Sequence, residues 1–286
     1  MSEPSPTYPD RTLSDADLAV ALADGAGAVL RGLRADVDAA GGDFEARAFK
    51  DAGDAASQEW LAAALAHARP DDAVLSEEAK DDASRLDADR VWIIDPLDGT
   101  REFAERQADG ERAGDWRDDF AVHVALWQRG QGLTAGAVGL PARGAVPSTR
   151  DGGTPGDVGD VLAGRRPLRI AASRSRPPAF VSDLAARGDV ELVPMGSAGV
   201  KVVSVVDGTV DAYVHGGGQY EWDSAAPVAV AVAAGLDCTR LDGTPLEYNR
   251  QDPWLPDLFV CHPALASHLR AALTEVGVDI KEGAQP

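Results

Sequence analysis

The sequence predicts a mixed fold, an α+β first half with an antiparallel sheet followed by an α/β second half. Two observations carry this. Residues 120–127 and 133–138 are apolar strand-like runs separated only by residues 128–132, a hairpin spacing. From Leu168 onward, short apolar strands alternate with helical patterns, which is the signature of strand-helix-strand units.

Each element has its own signal. Residues 1–13 are polar and proline-rich and read as a disordered lead-in. Ser14 is placed to cap a helix whose first turn carries Asp15 and Asp17. Leu18, Leu22, Ala26, Val29, Leu30 and Leu33 give that helix an apolar face to about Asp36. Gly41-Gly42 breaks the chain, and Asp54 is the next N-cap candidate, for a helix built on Trp60, Leu61, Ala64 and Leu65. Residues 73–75 and 91–94 read as buried strands, each followed at once by carboxylates. Residues 104–119 read as a mobile surface loop, and 147–160 as a loop or domain connection. The second half reads as strand 168–172, helix 179–187, strand 190–194, helix 198–206, strand 210–214, helix 223–234, strand 259–261 and a last helix from His262 to about Val276. The expected units are residues 14–146 and 161–286.

The chain has 286 residues and a formal net charge of −20. Such a charge argues against a nucleic-acid binder, which needs a basic face, and against docking on anionic lipid. A phosphorylated small molecule remains compatible where metal ions reverse the local sign. No stretch has the length of an apolar membrane span, and residues 1–13 lack a signal-peptide or transit-peptide pattern, so a cytoplasmic protein is expected. Cys238 and Cys261 form no paired motif and read as two free thiols in a reducing compartment.

The strongest chemical signal is Asp95-Pro96-Leu97-Asp98-Gly99-Thr100 at the end of a buried strand. Pro96 forces a turn that brings a second carboxylate back three residues after the first. Gly99 permits close backbone approach, and Thr100 offers a hydroxyl where a helix begins. Paired carboxylates on one turn suit a hard divalent cation. A plain turn with capping aspartates is the alternative. Glu77, after the first strand, and Asp223, opening a buried helix, are further acids that gather with them in a metal site or stand as a solvated edge and an N-cap. An uncompensated cluster repels itself, so loss of Asp95 or Asp98 is expected to relieve the metal-free protein.

Ser76-Glu77-Glu78, Asp95-Pro96-Leu97-Asp98-Gly99-Thr100 and Trp222-Asp223-Ser224-Ala225-Ala226 resemble, in order and spacing, the three signatures of the inositol monophosphatase superfamily. The resemblance implies a layered αβαβα sandwich and a lithium-sensitive phosphatase using two or three Mg²⁺, with Mn²⁺ as a substitute. It implies Glu77, Asp95 and the Leu97 carbonyl as ligands of one metal, and Asp95, Asp98 and Asp223 as ligands of a second. Thr100 matches the threonine that orients the attacking water, and the Gly99 and Thr100 amides match the phosphate cradle. Asp54 has the spacing of an acid near that water, although Phe49-Lys50-Asp51-Ala52-Gly53 replaces the usual Val-Thr lead-in.

Arg101-Glu102-Phe103, the Ser-Arg-Ser run at 173–175 and Gly196-Ser197-Ala198-Gly199-Val200-Lys201 resemble the CysQ-type branch, the 3′(2′),5′-bisphosphate nucleotidases. Removal of the 3′-phosphate of 3′-phosphoadenosine 5′-phosphate, in sulfate assimilation, is the activity this implies. Inositol 1-phosphate or fructose 1,6-bisphosphate hydrolysis is the alternative, and a silent metal-binding regulator a more distant one. A monomer or homodimer is expected. Arg174, Ser197 and Lys201 are candidate substrate contacts; the two cations are equally readable as surface charges. Arg176 stands where the branch has histidine. His215 precedes Gly216-Gly217-Gly218 and reads as a solvated loop residue or a substrate neighbour.

Overall fold

A computed structural model describes residues 8–175 and 177–278. Helices α1 (Asp15–Ala39) and α2 (Ala46–Ala68) open the chain. A four-stranded sheet follows, with β1 (Ala73–Ser76), β2 (Arg90–Asp98), β3 (Ala121–Gln128) and β4 (Gly132–Gly139) side by side in that order. The pair β1–β2 is parallel and the rest antiparallel. The short helix α3 (Thr100–Phe103) leaves β2, and α4 (Gly159–Leu162) lies in the connection to the second half. There follow β5 (Leu168–Ser173), α5 (Ala179–Ala186), β6 (Val190–Met195), α6 (Ala198–Val206), β7 (Ala212–Tyr220), α7 (Glu221–Ala233), β8 (Asp237–Thr239), β9 (Trp254–Cys261) and α8 (Ala266–Glu275). These strands form a second sheet in the order β6-β5-β7-β9-β8.

Strand alternation builds the layers. Along β2, Trp92 and Ile94 join a core with Leu18, Leu22 and Leu30 of α1 and Leu61 and Leu65 of α2. Val91 and Ile93, on the opposite face, join a central core with α6, α7 and the inner faces of β7 and β9. On the second sheet, Ile170, Ala212, Val214 and Phe259 turn outward to a third core closed by α5 and α8. These three cores, the central one lying on both sides of α6 and α7, give the expected αβαβα order.

Ser14 caps α1, accepting the Asp17 N–H at 3.1 Å. The second helix differs from expectation. Glu45 caps it, and Asp54 lies well inside it rather than at its start. Tyr8 packs its ring 6.2 Å from that of Trp60, so the described end of the lead-in is docked on α2; residues 1–7 lie outside the described residues. The 104–119 loop is pinned by buried Arg34, which donates to the carbonyls of Glu102, Phe103 and Arg117. β7 runs on to Tyr220 through a bulge after Gly216, so His215 is a strand residue. β8 was not expected, and α8 begins at Ala266 after a 3₁₀ turn.

Candidate active site

The site begins where β2 breaks its pairing. Asp95 faces His123 across the β2–β3 ladder, and the register shifts between Asp95 and Asp98. Pro96 has no N–H to give the ladder, and Asp95 Oδ1 instead accepts the Leu97 N–H at 3.0 Å. Gly99 then takes a left-handed φ of 88°, and a Cβ there would stand 3.3 Å from the Asp119 carbonyl and Phe120. Conformation and space both select glycine. The turn leads into α3 at Thr100.

Asp95, Asp98 and Asp223 each offer an oxygen, all within 4.8 Å of one another. The trio fits a metal ion on two counts. It is an all-oxygen, acceptor-only donor set, as a hard cation requires. Asp95 Oδ2 is also buried with no hydrogen-bond partner, a costly state for a carboxylate unless a cation answers it. Burial, then the carboxylates of Glu77, Asp98 and Asp223, push Asp95 well above the usual range. Burial, then Asp98, push Asp223 up to about 6.

Asp98 behaves differently. Burial pushes it up, but His123, Lys201 and Ser197 outweigh this and hold it low. Its Oδ2 accepts the Ser197 hydroxyl at 2.5 Å and the Gly199 N–H at 2.8 Å, and lies 3.2 Å from His123 Nε2. The other ring nitrogen of His123 lies 3.0 Å from the Trp222 carbonyl. His123 is fully buried and thus ties β2 to the start of α7. A Cβ on Gly199 would come within 2.1 Å of its Nε2. His123 escaped the sequence reading. The available signal was one imidazole in an otherwise apolar strand, the partner of the strand that carries Asp95.

Glu77 stands outside the trio, exposed just beyond β1. Loss of water on its protein side, then Asp223, Asp98 and Glu78, push it up to about 7. Burial within α2, then Glu78, push Asp54 up to about 7 also. Thr100 Oγ1 lies 3.4 Å from Asp54 Oδ1 and 3.2 Å from the Leu97 carbonyl. Mid-helix Asp54 and the Asp95–Thr100 turn are therefore neighbours, and the N-cap alternative falls, since Glu45 caps α2. Glu221 turns away from the trio, accepting the N–H groups of Asn249 and Arg250 at 2.6 and 2.7 Å. It anchors the start of α7 and so fixes Asp223.

A cleft of about 630 Å³ opens beside the carboxylates, lined among others by Asp98, Asp223, Ser197, Lys201, His215 and Tyr220. Lys201 is buried rather than a surface cation, and its Nζ donates to the Ser197 carbonyl at 2.8 Å. Ser197 lines the cleft, but its hydroxyl is committed to Asp98 and to capping α6. Arg174 is engaged by Glu102 at 2.8 Å and by Glu105, so its guanidinium serves the α3–β5 junction. The substrate role expected of Arg174 has no open fork in this arrangement. His215 Nε2 lies 3.4 Å from the Gly218 carbonyl, and burial lowers its pKa. Arg176 lies outside the described residues. A second cleft of about 610 Å³, lined by Trp127, Val232 and Tyr248 among others, contains none of the carboxylates.

Among the described residues no helix is long and apolar enough to cross a membrane. A chain from Mycobacterium leprae named 3′-phosphoadenosine 5′-phosphate phosphatase is 48% identical over 274 residues, covering 92% of this chain and 95% of its own. The 3′(2′),5′-bisphosphate nucleotidase CysQ of Escherichia coli K12 is 31% identical over 193 residues, covering 65% and 74%. Mycobacterium tuberculosis SuhB superposes with a TM-score of 0.68 at 24% identity over 92% of this chain and 96% of its own, a likeness of fold. Residues 13–275 match the inositol monophosphatase family, and the chain belongs to that family.

Proposed function

We propose that the chain is a Mg²⁺-dependent phosphatase that removes the 3′-phosphate of 3′-phosphoadenosine 5′-phosphate, giving AMP and phosphate. The observation that carries this reading is the oxygen trio Asp95, Asp98 and Asp223 beside a cleft lined by Lys201, in a chain 48% identical to a phosphatase of that name. The sequence units 14–146 and 161–286 meet at this site, the first contributing Asp95 and Asp98 and the second Asp223.

Glu77, Asp95 and the Leu97 carbonyl would hold one metal, and Asp95, Asp98 and Asp223 another. Bound divalent metal supplies positive charge to the phosphoryl oxygens and acidifies water. The chain's own groups do the rest. Asp54, its pKa pushed up to about 7, accepts a proton from the attacking water through Thr100, which orients that water, and the leaving 3′-oxygen takes a proton from solvent in the open cleft as its bond to phosphorus breaks. The Gly99 and Thr100 amides face the phosphate, and the Gly99 conformation lets the backbone approach it. Lys201 brings one positive charge to the cleft for the phosphate that stays on the nucleotide. His123 holds Asp98 and the Trp222 carbonyl in one orientation, a supporting role of the kind on which metal ligands depend.

Phosphate release from 3′-phosphoadenosine 5′-phosphate tests this. It should stop on chelation, return with Mg²⁺ or Mn²⁺, and return poorly with Ca²⁺, whose larger and looser shell suits in-line transfer badly. Full turnover after exhaustive chelation would refute it.

A further inference from the structure

Resting on the nucleotidase reading, we propose that Tyr220 is the stacking platform for the substrate's nucleobase. Among the described residues four large apolar side chains are exposed, and two of them, Tyr220 and Trp254, are cross-strand partners at the end of β7 and the start of β9. Tyr220 is 44% exposed and lines the cleft that contains Asp98, Asp223 and Lys201. Its backbone N–H donates to Asp223 Oδ2 at 2.7 Å, which fixes it beside the trio. Its ring lies on Trp222, with centroids 4.8 Å apart and planes within 7° of parallel. Trp222 packs against the central core. One face of the tyrosine is thus backed by a rigid indole, and the ring keeps open surface in the cleft.

Among the described residues, Trp222 is the one aromatic ring that stacks on Tyr220. A large aromatic left in water is unfavourable, whereas one held flat and backed on one side is pre-organised to receive a flat ligand on the other. Gly216, Gly217 and Gly218 line the same cleft without side chains, so the wall beside the platform stays low. The occupant must carry phosphate for the metal side and for Lys201, and a planar π-face for Tyr220. A nucleoside bisphosphate has both, whereas an inositol or hexose phosphate lacks the planar face. Base–aromatic stacking tolerates any base, so the platform selects nucleotide over sugar phosphate and discriminates weakly among bases.

The test compares 3′-phosphoadenosine 5′-phosphate with its abasic analogue, methyl ribofuranoside 3,5-bisphosphate. The wild-type enzyme should prefer the nucleotide in kcat/KM by about tenfold or more, expressed mainly in KM. Tyr220→Leu, which keeps apolar bulk, and Tyr220→Ala should bring that ratio towards one, and Tyr220→Phe should retain it. A ratio that survives Tyr220→Leu and Tyr220→Ala, or a wild-type enzyme indifferent to the base, would overturn the platform and leave the phosphatase reading standing. A wild-type enzyme inactive on both compounds would overturn that reading and the platform with it. Circular dichroism of each variant identifies a folding defect, and Tyr220→Phe against Tyr220→Leu then carries the comparison.

Discussion

His123 Nε2 lies 3.2 Å from Asp98 Oδ2 in a fully buried position, and the same ring reaches the Trp222 carbonyl, next to Asp223, with its other nitrogen. Burial opposes the imidazolium, but Asp98 and the Trp222 carbonyl outweigh it and raise the pKa. The ring thus links the last carboxylate of β2 to the start of α7 and joins the two halves of the site.

Replacing it with an apolar side chain of similar bulk should be costly. His123→Leu leaves the Trp222 carbonyl unpaired and removes one of the groups that hold Asp98, a loss of about 2 kcal/mol or more in the metal-free protein. Mn²⁺ affinity, read by electron paramagnetic resonance, should fall by about 10–100-fold. Gly199→Ala, which crowds the same ring, should behave alike. Unchanged Mn²⁺ affinity in a folded His123→Leu protein would remove the residue from the account.

The two aspartates of the turn should respond in opposite directions. Asp95→Asn replaces a buried, unpartnered carboxylate oxygen and should raise the melting temperature of the metal-free protein. Asp98→Asn removes the charge that holds His123, Ser197 and Lys201 and should lower stability by about 1–3 kcal/mol. Both should lose activity by orders of magnitude. Thermal unfolding after chelation checks the pair, and shifts of the same sign would contradict it. Charge counting along the sequence expects relief from either substitution; only the neighbours of Asp98 reverse the sign for that residue.

Metal-free stability should fall as pH rises. Glu77 and Asp54 sit at about 7 and Asp223 at about 6, above their unfolded values near 4. Between about pH 4 and 7 the folded chain therefore holds more protons than the unfolded one, and stability declines with pH across that window. Saturating Mg²⁺ should raise the melting temperature more at pH 8 than at pH 5.5. An equal shift at both pH values would show that the acids are not what the metal relieves.

Thr100→Ala should lower kcat with little change in KM, because orienting water matters in the transition state more than in ground-state binding. Asp54→Asn should do the same, and the double variant should lose little beyond the worse single one if the two groups act as a unit. Additive losses would separate them.

The order of strands and helices was legible because short apolar runs alternate with helices that carry apolar stripes, and 198–206 agrees with α6 to the residue, whereas the αβαβα layering came from the family resemblance. The start of α2 was hidden for a packing reason. Its buried face runs Phe49, Gly53, Ser57, Leu61, and Gly53 is there because a Cβ would meet the Phe103 ring at 2.6 Å. A stripe that uses glycine and serine as core residues has little hydrophobic signal, so the sequence alone points to Asp54 as a cap. β7 was read short because Gly216–Gly218 are poor strand formers that pair with β9 through a bulge. The acids of the trio were legible from their motifs, whereas His123 meets Trp222 across 99 residues of sequence, a contact that only the fold creates.

The central claim, a metal-dependent phosphatase specific for a nucleoside bisphosphate, is tested most directly by kcat/KM for phosphate release in saturating Mg²⁺ from 3′-phosphoadenosine 5′-phosphate, inositol 1-phosphate and fructose 1,6-bisphosphate. The account predicts that the nucleotide leads inositol 1-phosphate, which has no second phosphate for Lys201, by about tenfold or more, that Lys201→Ala narrows that gap, and that fructose 1,6-bisphosphate, which lacks the planar base, also trails the nucleotide. A lead for inositol 1-phosphate or fructose 1,6-bisphosphate would contradict it.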